Sequence, residues 1–161
     1  MDKSDPPVSF GVFKPVGHTV IAFRDTGDLQ EAVGALRADG FAETALVHYS
    51  AAEMAAQVNA EATHVSALAA FGYELNFIAA DRALAERGCS FLVVHAPDSD
   101  LAARVAAVVA AGPAVAARHY GRFTIEELIS PPPGATEVTR SPAENLAVHD
   151  AVEPDARKPN P

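Results

Sequence analysis

Apolar and polar positions fall in the same order twice along this chain. The first run opens with Thr19-Val20-Ile21-Ala22-Phe23, passes a polar Asp25-Thr26, continues to Gly40 and returns to His48-Tyr49. The second opens with Phe91-Leu92-Val93-Val94, passes Asp98-Ser99, continues to Gly112 and returns to His119-Tyr120. In the middle of each run the apolar positions step by helical spacing, Leu29, Val33 and Leu36 in one and Leu101, Val105 and Val108 in the other, so each forms one apolar stripe. Gly40 suits a left-handed helix cap, and Gly112, before Pro113, repeats it. The pattern predicts strands near 18–24, 44–49, 90–96 and 115–120 and helices near 28–39 and 99–111. A duplicated βαβ unit predicts an α+β fold, a ferredoxin-like split βαβ sandwich with strands one and three central and strands two and four at the edges.

Between the two units lies a long helical insertion, residues 51–87, rich in alanine. Ser50 and Glu53 form a capping box at its start, and Thr124 and Glu127 mirror them after the second unit. A straight helix of that length would run about 55 Å at 1.5 Å per residue, longer than the domain, so it is expected to break near Phe71-Gly72. Met54, Val58, Val65, Leu68, Leu75 and Ile78 make one stripe, widened by Phe71, Phe77 and Leu84. The strands at 19–23 and 91–94 are apolar at every position, which implies burial on both sheet faces. The two βαβ helices cover one face. The other falls to the central helices or to a second subunit, and a homo-oligomer with Val65, Leu68, Leu75 and Ile78 at its interface is the expectation.

Residues 1–7 read as a disordered start, Val8–Val16 as an edge strand or arm interrupted by Pro15, and 8–130 as the domain. At residue 131 the composition changes: Pro131-Pro132-Pro133-Gly134 opens a tail to Pro161 that holds seven of the chain's 12 prolines. It has one short apolar island, and the tail is expected either to stay disordered as a solubilising segment or to dock through Leu146 and Val148 on a neighbouring subunit or another protein.

At 161 residues and 49% hydrophobic, the chain suits one domain with a core. Its net charge is −9 and its 12 basic residues are scattered, which disfavours nucleic acid and anionic membrane surfaces as partners. One cysteine, Cys89, forms no intrachain disulfide and is expected as a small buried thiol in a reducing compartment. The start of the chain does not read as a signal peptide and no window spans a bilayer, so a cytoplasmic location is expected.

The candidate chemistry lies in histidines. His48-Tyr49 and His119-Tyr120 are the repeated pairs and the candidate ligand-binding residues, since imidazole binds metals and moves protons near neutrality. On opposite edges they would stand about 14 Å apart, three strand spacings, too far for one metal. Glu61 and His64 share a helix face in the manner of half a di-iron carboxylate site, which needs a second such pair. Glu53 and Glu74 are possible helpers, but no second histidine stands beside them. Glu126 reads as solvated, His18 as a turn residue and His95 as the end of the third strand. No phosphate loop, nucleophile elbow or complete metal-ligand set is present in the sequence, and no catalytic residue or cofactor is called.

The string from Val20 to Val47, with its strand, acidic cap, Ala/Leu helix and Ala-Asp-Gly-Phe turn, resembles the heat-induced or general-stress βαβ domain of bacteria. Phe13-Lys14-Pro15-Val16-Gly17-His18, Phe91-Leu92-Val93-Val94-His95-Ala96-Pro97 and Tyr120-Gly121 with Ile125-Glu126-Glu127-Leu128 are similar to uncharacterised proteobacterial proteins. The resemblance covers roughly residues 10–130 and brings no catalytic residues with it. It implies the ferredoxin-like fold and a stress-associated, non-enzymatic role. The resulting expectation is a structural or regulatory binding module. The alternatives are a small-molecule or metal-binding protein, possibly an enzyme, with a pocket between sheet and central helices, and an adapter docking through its tail.

Overall fold

A computed structural model describes residues 8–9, 12–13, 15–62 and 72–134, with the backbone alone at 8–9, 12–13, 60–62 and 72–75. The short strands β1 (Val8–Ser9) and β2 (Val12–Phe13) pair with each other, and β2 runs against the first of the central helices. The main sheet comprises β3 (His18–Phe23), β4 (Leu46–Tyr49), β5 (Ser90–His95), β6 (Ala116–Tyr120) and β7 (Ile125–Ile129). Its order is β4-β5-β3-β6-β7 and every pairing is antiparallel. The helices are α1 (Thr26–Ala38), α2 (Ala51–Ala62), α3 (Gly72–Glu86) and α4 (Ser99–Ala111). The fold is α+β.

All four strands and both helices expected from the repeat are present. The crossover β3-α1-β4 leaves room for β5 between its strands, and β5-α4-β6 leaves room for β3. Both helices start in the same way: Asp25 accepts from the Asp28 amide at 2.9 Å, and Asp98 from the Leu101 amide at 2.9 Å. These bonds satisfy donors that the first helical turn leaves orphaned. Their ends differ. Gly40 takes φ 94°, with the Phe41 amide donating to the Leu36 carbonyl, a left-handed cap. Gly112 does not repeat it: it is extended, at φ −109° and ψ 179°, because Pro113 excludes the helical region for the residue before it.

The second mirrored feature also breaks. Ser50 and Glu53 form the expected reciprocal box, the Ser50 amide donating to Glu53 and the Glu53 amide to Ser50 Oγ. Thr124 and Glu127 do not. That segment is β7, paired on β6 after a tight turn in which the Gly121 amide donates to the Thr124 carbonyl. The β-branched Ile125 and Ile129 favour the strand. Ser50→Ala is therefore expected to cost about 1 kcal/mol, read as a lower urea midpoint at unchanged slope. Thr124→Ala should show no such capping loss.

β7 corrects a further expectation. The fourth strand of the repeat, β6, is not an edge, so His119 stands on an interior strand. β4, carrying His48, is an edge as expected.

Both sheet faces are buried within one chain. Ile21, Phe23, Leu92, Val94 and Ala117 face α1 and α4, where Leu29, Leu36, Val105 and Val109 close the core. Val20, Ala22, Phe91, Val93 and Ala116 face α2 and α3, where Met54, Val58, Leu84 and Ala85 close a second core. α2 and α3 pack on each other, so the insertion folds back over the sheet. Burial of the central strands thus makes no demand for a second subunit. Ile78, expected at an interface, packs on the core of its own chain. Leu75 lies in α3 with its side chain outside the described residues, as are Val65 and Leu68 entirely. Among the described residues no helix is long and apolar enough to cross a membrane.

Candidate functional site

The His-Tyr pairs are not brought together. Side chains alternate along a strand, so each pair is split between the two faces. Tyr49 and Tyr120 belong to the core under α2 and α3, whereas His48 and His119 point to the α1/α4 face. In the register, His48 is opposite Leu92, which aligns through Ile21 with Ala117, two residues short of His119. Three strand spacings and this offset put the imidazoles on the order of 15 Å apart. His119 Nδ1 bonds Thr19 Oγ1 at 3.0 Å on the neighbouring strand. His48 Nε2 is buried without a hydrogen-bond partner among the described residues.

The register assembles a different polar group on the α2/α3 side of the sheet. His95, His18 and Tyr120 are consecutive partners across β5, β3 and β6 at one end of the sheet. The His18 and His95 rings stack, with centroids 4.6 Å apart and planes at 25°. His18 Nδ1 donates to the Val16 carbonyl at 3.0 Å, which fixes the neutral tautomer with its proton on Nδ1. His18 is therefore a buried strand residue, not the turn residue expected. Burial lowers its pKa from 6.5 and His95 adds to the effect, against the pull of the Val16 carbonyl. Burial also lowers the pKa of His119, opposed by Glu126 across the ladder.

The sign of the resulting pH dependence follows directly. A histidine whose folded pKa is depressed binds its proton more readily in the unfolded chain. The stability is whole above the unfolded pKa of about 6.5 and is lost as pH falls from there toward the folded values. The thermal midpoint is expected to drop between pH 7.5 and pH 5, and His18→Asn with His119→Asn should flatten that drop. A midpoint that rises on acidification over this range would contradict it.

One row further in, α3 and β6 hold a buried ion pair. Arg118 is 1% exposed and Asp81 4%. Arg118 Nη2 donates to Asp81 Oδ1 and Nη1 to the Phe77 carbonyl at 3.2 Å, while the guanidinium carbon lies 4.9 Å from the Phe77 ring centroid. Nε finds no partner among the described residues. Burial pushes the Asp81 carboxyl up, with Arg118 pulling it back. The pKa of Arg118 is raised: burial, its largest influence, acts to lower it, and the charges of Asp81, Tyr120 and Glu127 outweigh that. Sequence reading missed this pair, although a signal was present: Ala116, Arg118 and Tyr120 share one strand parity and hence the core face. The pair locks α3 to the sheet and exposes no charge for a ligand.

Apolar space for a ligand lies on the opposite face. Between α1 and α4 runs an open groove of about 380 Å³. Phe23, Ala32 and Val109 are its buried lining, and Ala35, Ala107, Val108 and Ala111 are more exposed. Alanine at these helix positions leaves the space that larger side chains would fill. Arg104 closes on Asp39, its Nε donating to the carboxylate at 2.9 Å and Nη2 to the Asp39 carbonyl, with Phe41 5.1 Å beneath the guanidinium. Such a groove takes apolar side chains and offers Glu31, Asp39 and Arg104 as polar partners.

Glu61 lies in the last turn of α2 with its side chain outside the described residues, as His64 is entirely. Leu146 and Val148 are outside them too. Among the described residues no group of three His, Cys, Asp or Glu is placed to hold a metal. Cys89 is buried, as expected, and burial pushes its thiol up. Compared with known protein families, curated proteins and solved structures, the chain matches none.

Proposed function

We propose that this protein is a non-enzymatic binding module, regulatory or structural, that takes an apolar peptide segment in the groove between α1 and α4. The observation that carries the reading is the groove itself, an open apolar slot between two helices. It lies on the face away from α2 and α3, and it is larger and more apolar than the space of about 310 Å³ between Tyr49 and α2, which favours peptide capture over a pocket between the sheet and the central helices. An apolar strip laid between two helices is a recurrent mode of peptide recognition. The two crossovers, each skipping one strand, support the ferredoxin-like duplication, extended here by β7 and the helical insertion. The stress-associated setting rests on the resemblance of residues 20–47, and the cytoplasmic one on the reducing compartment that a single cysteine, Cys89, suits.

The neutral apolar dye Nile red tests the groove. It should bind the full chain saturably, and Ala35→Glu with Ala107→Glu should weaken binding at least tenfold. Both alanines are exposed helix residues, so the thermal midpoint should hardly move. Dye binding that survives the double substitution would place the apolar surface elsewhere and sink the reading.

A further inference from the structure

We propose that the groove between α1 and α4 is occupied by the chain's own C-terminal segment, through Leu146 and Val148, so that the tail competes with whatever the module binds. The inference rests on the peptide-capture reading and names its first ligand.

Three observations select this occupant. The first is where the described chain ends. Ile129 closes β7 opposite Ala117, whose other partner is Ile21, so β7 finishes at the end of the sheet where β3 finishes with Phe23 and β5 begins at Ser90. Gly134 lies beside Arg87, just before β5: a Cβ on it would stand 3.3 Å from Arg87 Nη2. Phe23 lines the groove, and so do Gly112, Pro113 and Ala114, which lead into β6 at that same end. The exit of the chain and one end of the groove therefore share one end of the sheet.

The second is length. Leu146 is twelve positions beyond Gly134. An extended segment of that length reaches about 40 Å, more than the width of a domain of this size. The tail can pass from the α3 side, around the sheet end, to the α1/α4 side.

The third is composition. Residues 135–161 contain a single leucine, Leu146, and no Ile, Met, Phe, Tyr or Trp. The tail thus offers one anchor, and in an extended segment Val148 would fall on the same side, about 7 Å away. Two side chains of this size suit a groove of about 380 Å³. A second copy of the chain presents the same peptide at its solution concentration. A short tether presents it at an effective concentration in the millimolar range, about a thousandfold above a micromolar solution.

Internal occupancy makes the module regulated. A partner's apparent affinity is reduced by the fraction of chains with the groove free. Displacing the tail, or modifying it near Leu146, would raise that fraction.

The test uses the full chain. With Cys89 buried, a nitroxide on Val152→Cys labels one position selectively. It should broaden the amide resonances of Ala107, Val108 and Ala111 at every protein concentration. Leu146→Asp with Val148→Asp should abolish the broadening and tighten Nile red binding about tenfold, as expected for release of a tail docked in nine chains of ten. Broadening that appears only between labelled and unlabelled chains would assign the groove to a second copy and overturn the proposal. With no broadening and unaltered dye affinity in the tail variant, tail docking fails, yet dye binding still sensitive to Ala107→Glu keeps the groove reading. If Nile red fails to bind even the tail variant, the groove reading fails with it.

Discussion

Arg118→Met is expected to destabilise the domain by about 3–5 kcal/mol, the usual cost of leaving one member of a buried ion pair unpaired. Asp81, 4% exposed, would lose the one charge among the described residues that lowers its carboxyl pKa. It would then either remain ionised in the core or take up a proton. The second course leaves a signature. An acid whose folded pKa is raised contributes stability that is complete below its unfolded pKa and is lost as pH rises through the folded one. Relative to the wild type, Arg118→Met should therefore recover stability as pH is lowered from 7 toward 5, opposite in sign to the histidine effect. Arg118→Met with Asp81→Leu removes both charges, fills the same space with apolar groups and should regain most of the loss. Urea denaturation of the wild type and the two variants at both pH values measures this. A loss under 1 kcal/mol in the single variant would mean that Asp81 is reached by water.

How much of this was legible in the sequence depends on the range of the interaction. The strand–helix–strand repeats were legible because their periodicities and Asp caps are local: Asp25 and Asp98 bond amides three residues on. The burial of Cys89 was legible from the apolar strand it precedes. β7 was not, because Thr-x-x-Glu matches a capping box as well as it matches a strand start. Only pairing with β6 distinguishes the strand, and the turn at Gly121–Thr124 was the clue. The histidine stack was hidden for a related reason. His18 and His95 are 77 positions apart and meet through the register of β3 against β5. Arg118 needed two facts at once, the parity of β6 and the rotation of α3 that aims Asp81 at it. The groove depends on small residues of two distant helices facing one another, and alanine in a helix reads only as good helix propensity. Cover for the second sheet face was one of two alternatives at the level of sequence, and the helical hairpin of α2 and α3 supplies it.

That cover makes the second large prediction. Phe91→Ala is expected to cost about 3–5 kcal/mol, from lost transfer energy and the cavity it leaves. Phe91 is 0% exposed, lies between Tyr49 and Ala22 in the register, and belongs to the core closed by Met54, Val58 and Leu84. Phe123, at the tip of the β6–β7 turn, is 91% exposed, so Phe123→Ala should change stability by less than about 0.5 kcal/mol. The contrast calibrates the first value against a residue of the same type. Concentration dependence then decides whether this core is intramolecular. A sheet face covered by a second subunit would give an unfolding midpoint that rises with protein concentration. A face covered by α2 and α3 of the same chain gives a midpoint that stays fixed. Urea unfolding of the wild type and Phe91→Ala across a hundredfold range of concentration is expected to show two constant midpoints, well separated. A midpoint that climbs with concentration in the wild type and loses that slope in Phe91→Ala would assign the α2/α3 face to an interface and restore the oligomeric reading.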